Sequence, residues 1–458
     1  MSETETIQEK TAANDFTEGS IFKKLITFMM PILGALILQA MYGAVDILVV
    51  GWFGTDAGIS GVSTGSGIVN LITFSVAGLS MAVTVLMGRY LGEKRAERIG
   101  PLLGGSICFF GALSVLLAVV LFVFARPLAI FMQAPAEAID VTVEYVRICG
   151  VGILFIVAYN VISSVFRGMG NARLPLIFVG IACVVNIVGD LLFVAVFDMN
   201  VAGAALATVL AQAVSVILSL FIIRKQKLPF TVKKQDIRFN REILSILKIG
   251  GPIALQEILT NLSFLALCAF INRLGLDASS GYGVAHRLTS FVLLLPSSLM
   301  QSMASFIAQN VGAGKEDRAR RGMVTGMMIG ASIGVVIGLF SYLRGDLMAM
   351  IFTDNPAYIE KAAEYLRGFA LEAVVTSILF SFMGYFNGHG QTMFIMAQGL
   401  AQTFLVRLPM SYFMSIRENA NLEYIGYAAP AATVFGIMLN LAYYIWYTRK
   451  MDRTNGLK

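Results

Sequence analysis

Leu91-Gly-Glu-Lys-Arg-Ala-Glu-Arg98 and Ala313-Gly-Lys-Glu-Asp-Arg-Ala-Arg320 are two versions of one charged connector, 222 residues apart in the same chain. Other landmarks repeat in the same order. Pro31 answers to Pro252, Phe131-x-x-x-Pro135 to Phe352-x-x-x-Pro356, and Glu144-Tyr-Val-Arg147 to Glu364-Tyr-Leu-Arg367. Gly168-x-Gly170 answers to Gly388-x-Gly390, and Ala207-Thr-Val209 to Ala432-Thr-Val434. Several motifs in one order at nearly one offset mark a duplicated chain. Each connector lies between long apolar runs, so the duplicated unit is built from spans that suit lipid.

Composition agrees. Of 458 residues, 57% are hydrophobic and 14% charged, with a mean hydropathy of +0.76. Soluble proteins carry about 25% charged residues, so a globule of this size could not cover its surface, and a soluble enzyme, a disulfide-rich secreted scaffold and a nucleic-acid binder are excluded. The spans are expected at 25–52, 59–87, 100–124, 141–166, 174–197, 200–223, 246–272, 281–310, 322–343, 363–387, 391–416 and 425–447. Each has the length a helix needs to cross about 30 Å of hydrocarbon. Positive charge tests the count. Of 34 Lys and Arg, 25 fall on the tails and alternate loops; five (Arg126, Arg273, Arg344, Lys361, Arg417) fall on the opposite loops. Four more (Arg147, Arg287, Arg367, Arg407) lie within spans. This bias places both termini in the cytoplasm and requires an even number of spans.

The expected fold is an all-α polytopic membrane protein of 12 transmembrane helices in two six-helix parallel repeats. Its parts are a cytoplasmic tail at 1–20, an N-terminal lobe at 21–223, a linker at 224–245, a C-terminal lobe at 246–447 and a tail at 448–458. Glu3, Glu5, Glu9, Asp15 and Glu18 make the first segment unlike a signal peptide. Cys108, Cys149, Cys183 and Cys268 lie in apolar runs and read as reduced packing residues. Two similar bundles able to rock about a midplane site are a transporter architecture.

Carboxylates inside spans are expensive and therefore functional candidates. Asp46 lies about 10 Å below the outer end of span one, Asp190 at a similar depth in span five, and Thr208 about 12 Å down span six. Asn186 is one turn deeper than Asp190 on the same face, and Tyr42 one turn deeper than Asp46. Such oxygens suit Na⁺, or one proton shared between two acids. The other reading is that each acid satisfies a neighbour separately. Leu267 stands where the second half would repeat Asp46. That half has its own acids, Glu257 and Glu372, near the midplane. They read either as a proton site or anionic lining, or as locally bonded groups, Glu257 with Asn261. His286 beside Arg287 reads as an interfacial polar pair, and His389 as an ordinary turn residue. The glycines, Phe and Met read chiefly as packing. No Walker A, H-E-x-x-H or Ser/His/Asp set is present, so no enzyme chemistry is indicated and there are no catalytic residues to name.

Leu38-Gln-x-x-Tyr42-x-x-x-Asp46 followed by Gly51, Phe166-Arg-Gly-Met-Gly-Asn-Ala-Arg-x-Pro175, Asn186-x-x-x-Asp190, Val201-Ala-Gly-x-Ala-x-Ala-Thr208 and Arg407-x-Pro409 together resemble the multidrug and toxic compound extrusion (MATE) family. The resemblance runs from about Ile21 to Tyr447. It implies a V-shaped, 12-helix antiporter of the bacterial cytoplasmic membrane that exchanges organic, often cationic, amphipathic compounds for H⁺ or Na⁺. The family's cation site carries over onto Asp46, Asn186, Asp190 and Thr208. Tyr42 and Asn160 fall at positions around the family's cavity, and Gln39 in the first motif joins them as a candidate. Asn261 and Thr376 stand where one bacterial branch keeps an acidic pair, one turn after Glu257 and Glu372. The partners implied are a small organic substrate and the lipid bilayer, with no cofactor beyond the coupling ion, no nucleic acid, and a monomeric state. The alternatives are a flippase for a lipid or lipid-linked substrate, against which the mainly acidic buried charges count, and a passive channel, for which no filter motif is visible.

Overall fold

The structure, a computed structural model, describes residues 15–225, 230, 232–418 and 420–454. Tail positions 1–14 with Lys10, linker positions 226–229 and 231, and positions 455–458 lie outside the described residues. Among the described residues there is no strand. The first half comprises α1 (Ile21–Phe53), α2 (Asp56–Gly92), α3 (Ala96–Phe131), α4 (Ile139–Gly168), α5 (Arg173–Asp190) and α6 (Asn200–Lys225). A π turn, Leu191–Val196, extends α5. The second half comprises α7 (Glu242–Asn272), α8 (Leu276–Gly312), α9 (Glu316–Ala349), α10 (Pro356–Phe369), α11 (Glu372–Gly388), α12 (Thr392–Ala401), α13 (Leu408–Ser415), α14 (Leu422–Gly426) and α15 (Ala428–Thr454). Among the described residues, ten segments are single helices or nearly so, each long and apolar enough to cross a bilayer; the last of them runs from Leu422 to Arg453 through α14 and α15. The tenth expected span is the pair α10–α11, bent by 48°. The eleventh is α12, a π turn at Gln402–Arg407, and α13. All twelve expected spans are therefore helical.

The duplication is visible in the backbone, with a corrected register. The letters of the two connectors align at 222, but the hydrogen bonds align at 220. Glu93 N donates to Arg89 O as Ala313 N does to Gln309 O, and Arg95 N to Tyr90 O as Lys315 N does to Asn310 O. The helices end at Gly92 and Gly312 and restart at Ala96 and Glu316. The reversals at Gly170 (φ 77°) and Gly390 (φ 72°) obey the same offset. Glycine is needed there because a Cβ is strained in the left-handed region. At the first connector the left-handed residue is Lys94 (φ 58°); at the second it is Gly314 (φ 70°).

By packing, the chain forms two compact units. The first holds Met1–Gly19, Ile26–Ala254 and Ala308–Lys315; the second holds Ser20–Leu25, Leu255–Ile307 and Glu316–Lys458. These limits follow contact, whereas the sequence halves follow the duplication. In the first unit α4 packs against α2, α3 and α6, and α5 against α6. Phe16, ahead of α1, is buried here: its N–H donates to Gln309 Oε1 (3.1 Å), its carbonyl accepts from Asn310 (3.2 Å), and its ring meets Phe28 edge-on. In the second unit α9 packs on α10 and α11, α10 on α14, and α11 on α15. Its core gathers Leu267, Ile271, Tyr282, Tyr365 and Phe369. On α3 the side chains of Ile107, Val115, Leu116, Val119 and Val123 are exposed. An apolar face of that extent requires lipid as its solvent.

Candidate functional site

The site is built in the first unit, where three helices each deliver polar groups at one depth. Asp46 on α1 and Asn186 and Asp190 on α5 are buried. Asn186 Nδ2 donates to Asp46 Oδ1 (3.0 Å), and Thr208 Oγ1 on α6 donates to Asp46 Oδ2 (2.9 Å). Asn186 Nδ2 also reaches Thr208 Oγ1 at 3.4 Å. Asp190, one turn from Asn186, lies close enough to Asp46 for a proton to bridge the two carboxyls. Both Asp190 oxygens and Asn186 Oδ1 are buried without a hydrogen-bond partner among the described residues. Three acceptors unpartnered among the described residues lie beside a bonded carboxylate, an oxygen cluster whose charge one positive charge would offset. Two ionised carboxylates in a low-dielectric interior repel strongly, and a proton or a hard cation between them removes that repulsion.

Local sequence explains the approach of α5 to α6. Gly189 faces Ala207, and a Cβ on Gly189 would lie 2.9 Å from that of Ala207. Those two small residues directly precede Asp190 and Thr208. The π turn begins at Leu191, immediately after Asp190; such turns widen a helix locally and recur at functional sites.

The other expected residues are placed as follows. The Tyr42 hydroxyl accepts from Gln212 Nε2 (3.0 Å), a tier one turn below Asp46 and Thr208. Gln39 lies near Tyr159. Asn160 is buried but donates to Ile156 O of its own helix (2.8 Å) and makes no hydrogen bond to the acid cluster. Two groups are additions: Gln212, findable as the residue one turn after Thr208, and Tyr145, buried on α4 beside Asp46 and Thr208. Space for Tyr145 is supplied by Gly65, whose Cβ would meet its ring at 2.7 Å.

In the second unit Glu257 and Glu372 are not joined by a hydrogen bond among the described residues. Asn261 Nδ2 donates to the backbone carbonyl of Glu257 (2.8 Å), not to its carboxylate. Glu372 Oε1 accepts from Thr433 (2.8 Å), while Oε2 and the neighbouring Thr376 Oγ1 are buried and unpartnered. His286 stacks on Tyr282 and meets Phe264, contacts that the sequence pattern did not indicate. His389 also departs from its expected role. It is buried, with Nε2 3.0 Å from Glu316 Oε2 and Nδ1 2.8 Å from Tyr385 O, and Tyr385 donates to Glu316 Oε1 (2.7 Å).

Comparison with known proteins places this geometry in context. The MatE family profile matches residues 31–192 and again 252–413, once in each half. A probable multidrug resistance protein, YpnP, of Bacillus subtilis (strain 168) is 27% identical over 404 residues, covering 88% of this chain and 90% of that protein. The multidrug export protein MepA of Staphylococcus aureus (strain MRSA252) is 25% identical over 418 residues, covering 87% and 88%. Among solved structures, the fold is similar to that of MATE in complex with MaL6, with a TM-score of 0.88, 19% identity and coverage of 97% of this chain and 99% of that one.

Proposed function

The chain belongs to the MatE family, and from that premise we propose that it is a secondary active antiporter. In this reading it exports organic, cationic, amphipathic compounds from the cytoplasm in exchange for H⁺ or Na⁺. It does so as a multi-pass protein of the cytoplasmic membrane with both termini inside. The carrying observation is the buried set Asp46, Asn186, Asp190 and Thr208, with its three orphaned oxygens. In this reading the acid pair, which calls for one added positive charge, is the coupling site: entry of the ion neutralises it, and release restores the repulsion. The ion does work only if it binds the outward-open and inward-open states with different affinity. In the proposed cycle, ion entry repacks α1 around Asp46 and lowers affinity for the cargo. Pro31 lies in the same helix and removes one backbone donor from its ladder. The names of the bacterial relatives support a multidrug cargo.

The test is ethidium flux in proteoliposomes under separately imposed H⁺ and Na⁺ gradients, with wild type and Asp46→Asn. Extrusion driven by one gradient and abolished in the variant is the expected result and names the ion. Full export by Asp46→Asn would remove the site assignment. Movement of a fluorescent lipid with no dye flux would replace the exporter by a flippase.

A further inference from the structure

His389 stands in the turn between α11 and α12, and its side chain is 2% exposed. Counting hydrogens fixes its state. Nδ1 lies 2.8 Å from the backbone carbonyl of Tyr385. A carbonyl only accepts, so Nδ1 carries a hydrogen. Nε2 faces the Glu316 carboxylate at the start of α9, 3.0 Å from Oε2 and 3.1 Å from Oε1. In a neutral ring with its hydrogen on Nδ1, Nε2 is a bare lone pair, and an ionised carboxylate is acceptor-only. Two acceptors that close, shut away from water, repel. One further proton between them turns the contact into a charge-assisted hydrogen bond. The surroundings leave that proton on the ring: Glu316 Oε1 already accepts from the Tyr385 hydroxyl (2.7 Å), and Arg320 Nε lies 3.7 Å from it. Arg320 in turn donates to Asp452 Oδ1 on α15 (2.8 Å). The other titratable groups around the turn are Tyr444 and Tyr447 of α15, whose rings meet those of Tyr385 and His389. Neither α12 nor α8 from Pro296 onward contains a titratable residue.

We propose that His389 and Glu316 form a proton-operated clasp in the second unit. One proton on Nε2 joins the α11–α12 turn to the start of α9 and, through Arg320 and Asp452, to the end of α15; loss of that proton opens it. The sign follows from linkage: the stability this proton contributes is present at low pH and is lost as the pH rises and the proton leaves. The site is separate from the Asp46 set, which belongs to the first unit. Under the orientation proposed above these helix ends are cytoplasmic, so the clasp senses the pH of the cytoplasm. Glu316→Gln isolates the proton. An amide supplies its own hydrogen to Nε2 and still accepts from Tyr385, so this variant closes the clasp with no added proton.

The test is nitrogen NMR of the purified full-length chain in detergent, with labelled histidine. The chain has two histidines, and His389→Gln identifies the signals of His389 by removing them. Between about pH 6 and about pH 9, Nε2 of the wild type passes from the protonated to the unprotonated position while Nδ1 keeps its hydrogen. In Glu316→Gln, Nε2 is an acceptor across the whole range. The thermal midpoint in the same detergent is the second readout. Wild type loses part of its midpoint over that rise, and Glu316→Gln loses less. His389→Ala lies below wild type at the acid end and approaches it at the alkaline end, whereas a role in packing alone would lower it equally at both. An unprotonated Nε2 in wild type at the lower pH overturns the clasp, as does a midpoint fall that is the same in wild type and Glu316→Gln. Micelles have no sides and hold no gradient, so neither readout depends on orientation or on export. Labelling that put these helix ends outside the cell would change which pH is sensed and leave the clasp standing.

Discussion

Thr208 and Asn186 hold Asp46 from two sides, while neither Asp190 oxygen accepts a hydrogen bond from a donor group among the described residues. Thr208→Ala removes one of two donors, a loss of about 1 kcal/mol. Export should persist with a coupling-ion affinity altered severalfold, measurable as the ion concentration giving half-maximal flux. Asp190→Asn should remove coupling as completely as Asp46→Asn, since it takes away the second acid of the pair. These four residues were legible in the sequence because depth along a helix follows from residue count alone. Tyr145 was not, because nothing in the sequence says which face of α4 turns toward Asp46. The burial of His389 was hidden for a similar reason: its partner Glu316 is 73 residues away, and no local pattern joins them. His389→Ala leaves Glu316 with fewer partners. It should cost about 1–3 kcal/mol of stability, seen as a lowered thermal midpoint in detergent.

At the scale of the element, the two connectors show one backbone written with different letters. Identity of residue types suggested an offset of 222, but helix geometry sets 220, because the left-handed position tolerates Lys94 in one copy and takes Gly314 in the other. Lys94→Gly should therefore stabilise the first connector by up to about 1 kcal/mol, and Gly314→Ala should destabilise the second by a similar amount. Thermal unfolding of the two variants checks both signs. The α5–α6 contact is more demanding. Gly189→Val places a branched side chain against Ala207 and pushes Asp190 away from Thr208. A destabilisation of about 1–3 kcal/mol should accompany loss of coupled export, while Gly251→Val, with open space around its Cβ position, serves as the control. Helix positions were legible from hydropathy. The π turns after Asp190 and before Leu408 were not, since one added residue in a helical turn leaves no mark in composition.

On the scale of the molecule, duplication supplied two similar bundles that have since diverged. Where the first unit buries Asp46, the second buries Leu267 in an apolar core, so one copy carries the acid cluster and the other has a differently charged interior around Arg407 and Glu372. Sidedness is the remaining expectation for the whole chain. In a variant freed of native cysteines, an impermeant maleimide applied to intact cells should label Arg126→Cys and spare Arg173→Cys. The anchoring of Phe16 has a consequence in time. Its partner Gln309 lies 293 residues further along the chain. At roughly 5–20 residues per second, the ribosome needs about 15–60 s to make that partner after Phe16 emerges. Phe16 is thus among the first described residues to be synthesised and among the last to reach its partner, and throughout that interval it is available to targeting factors and the insertion machinery.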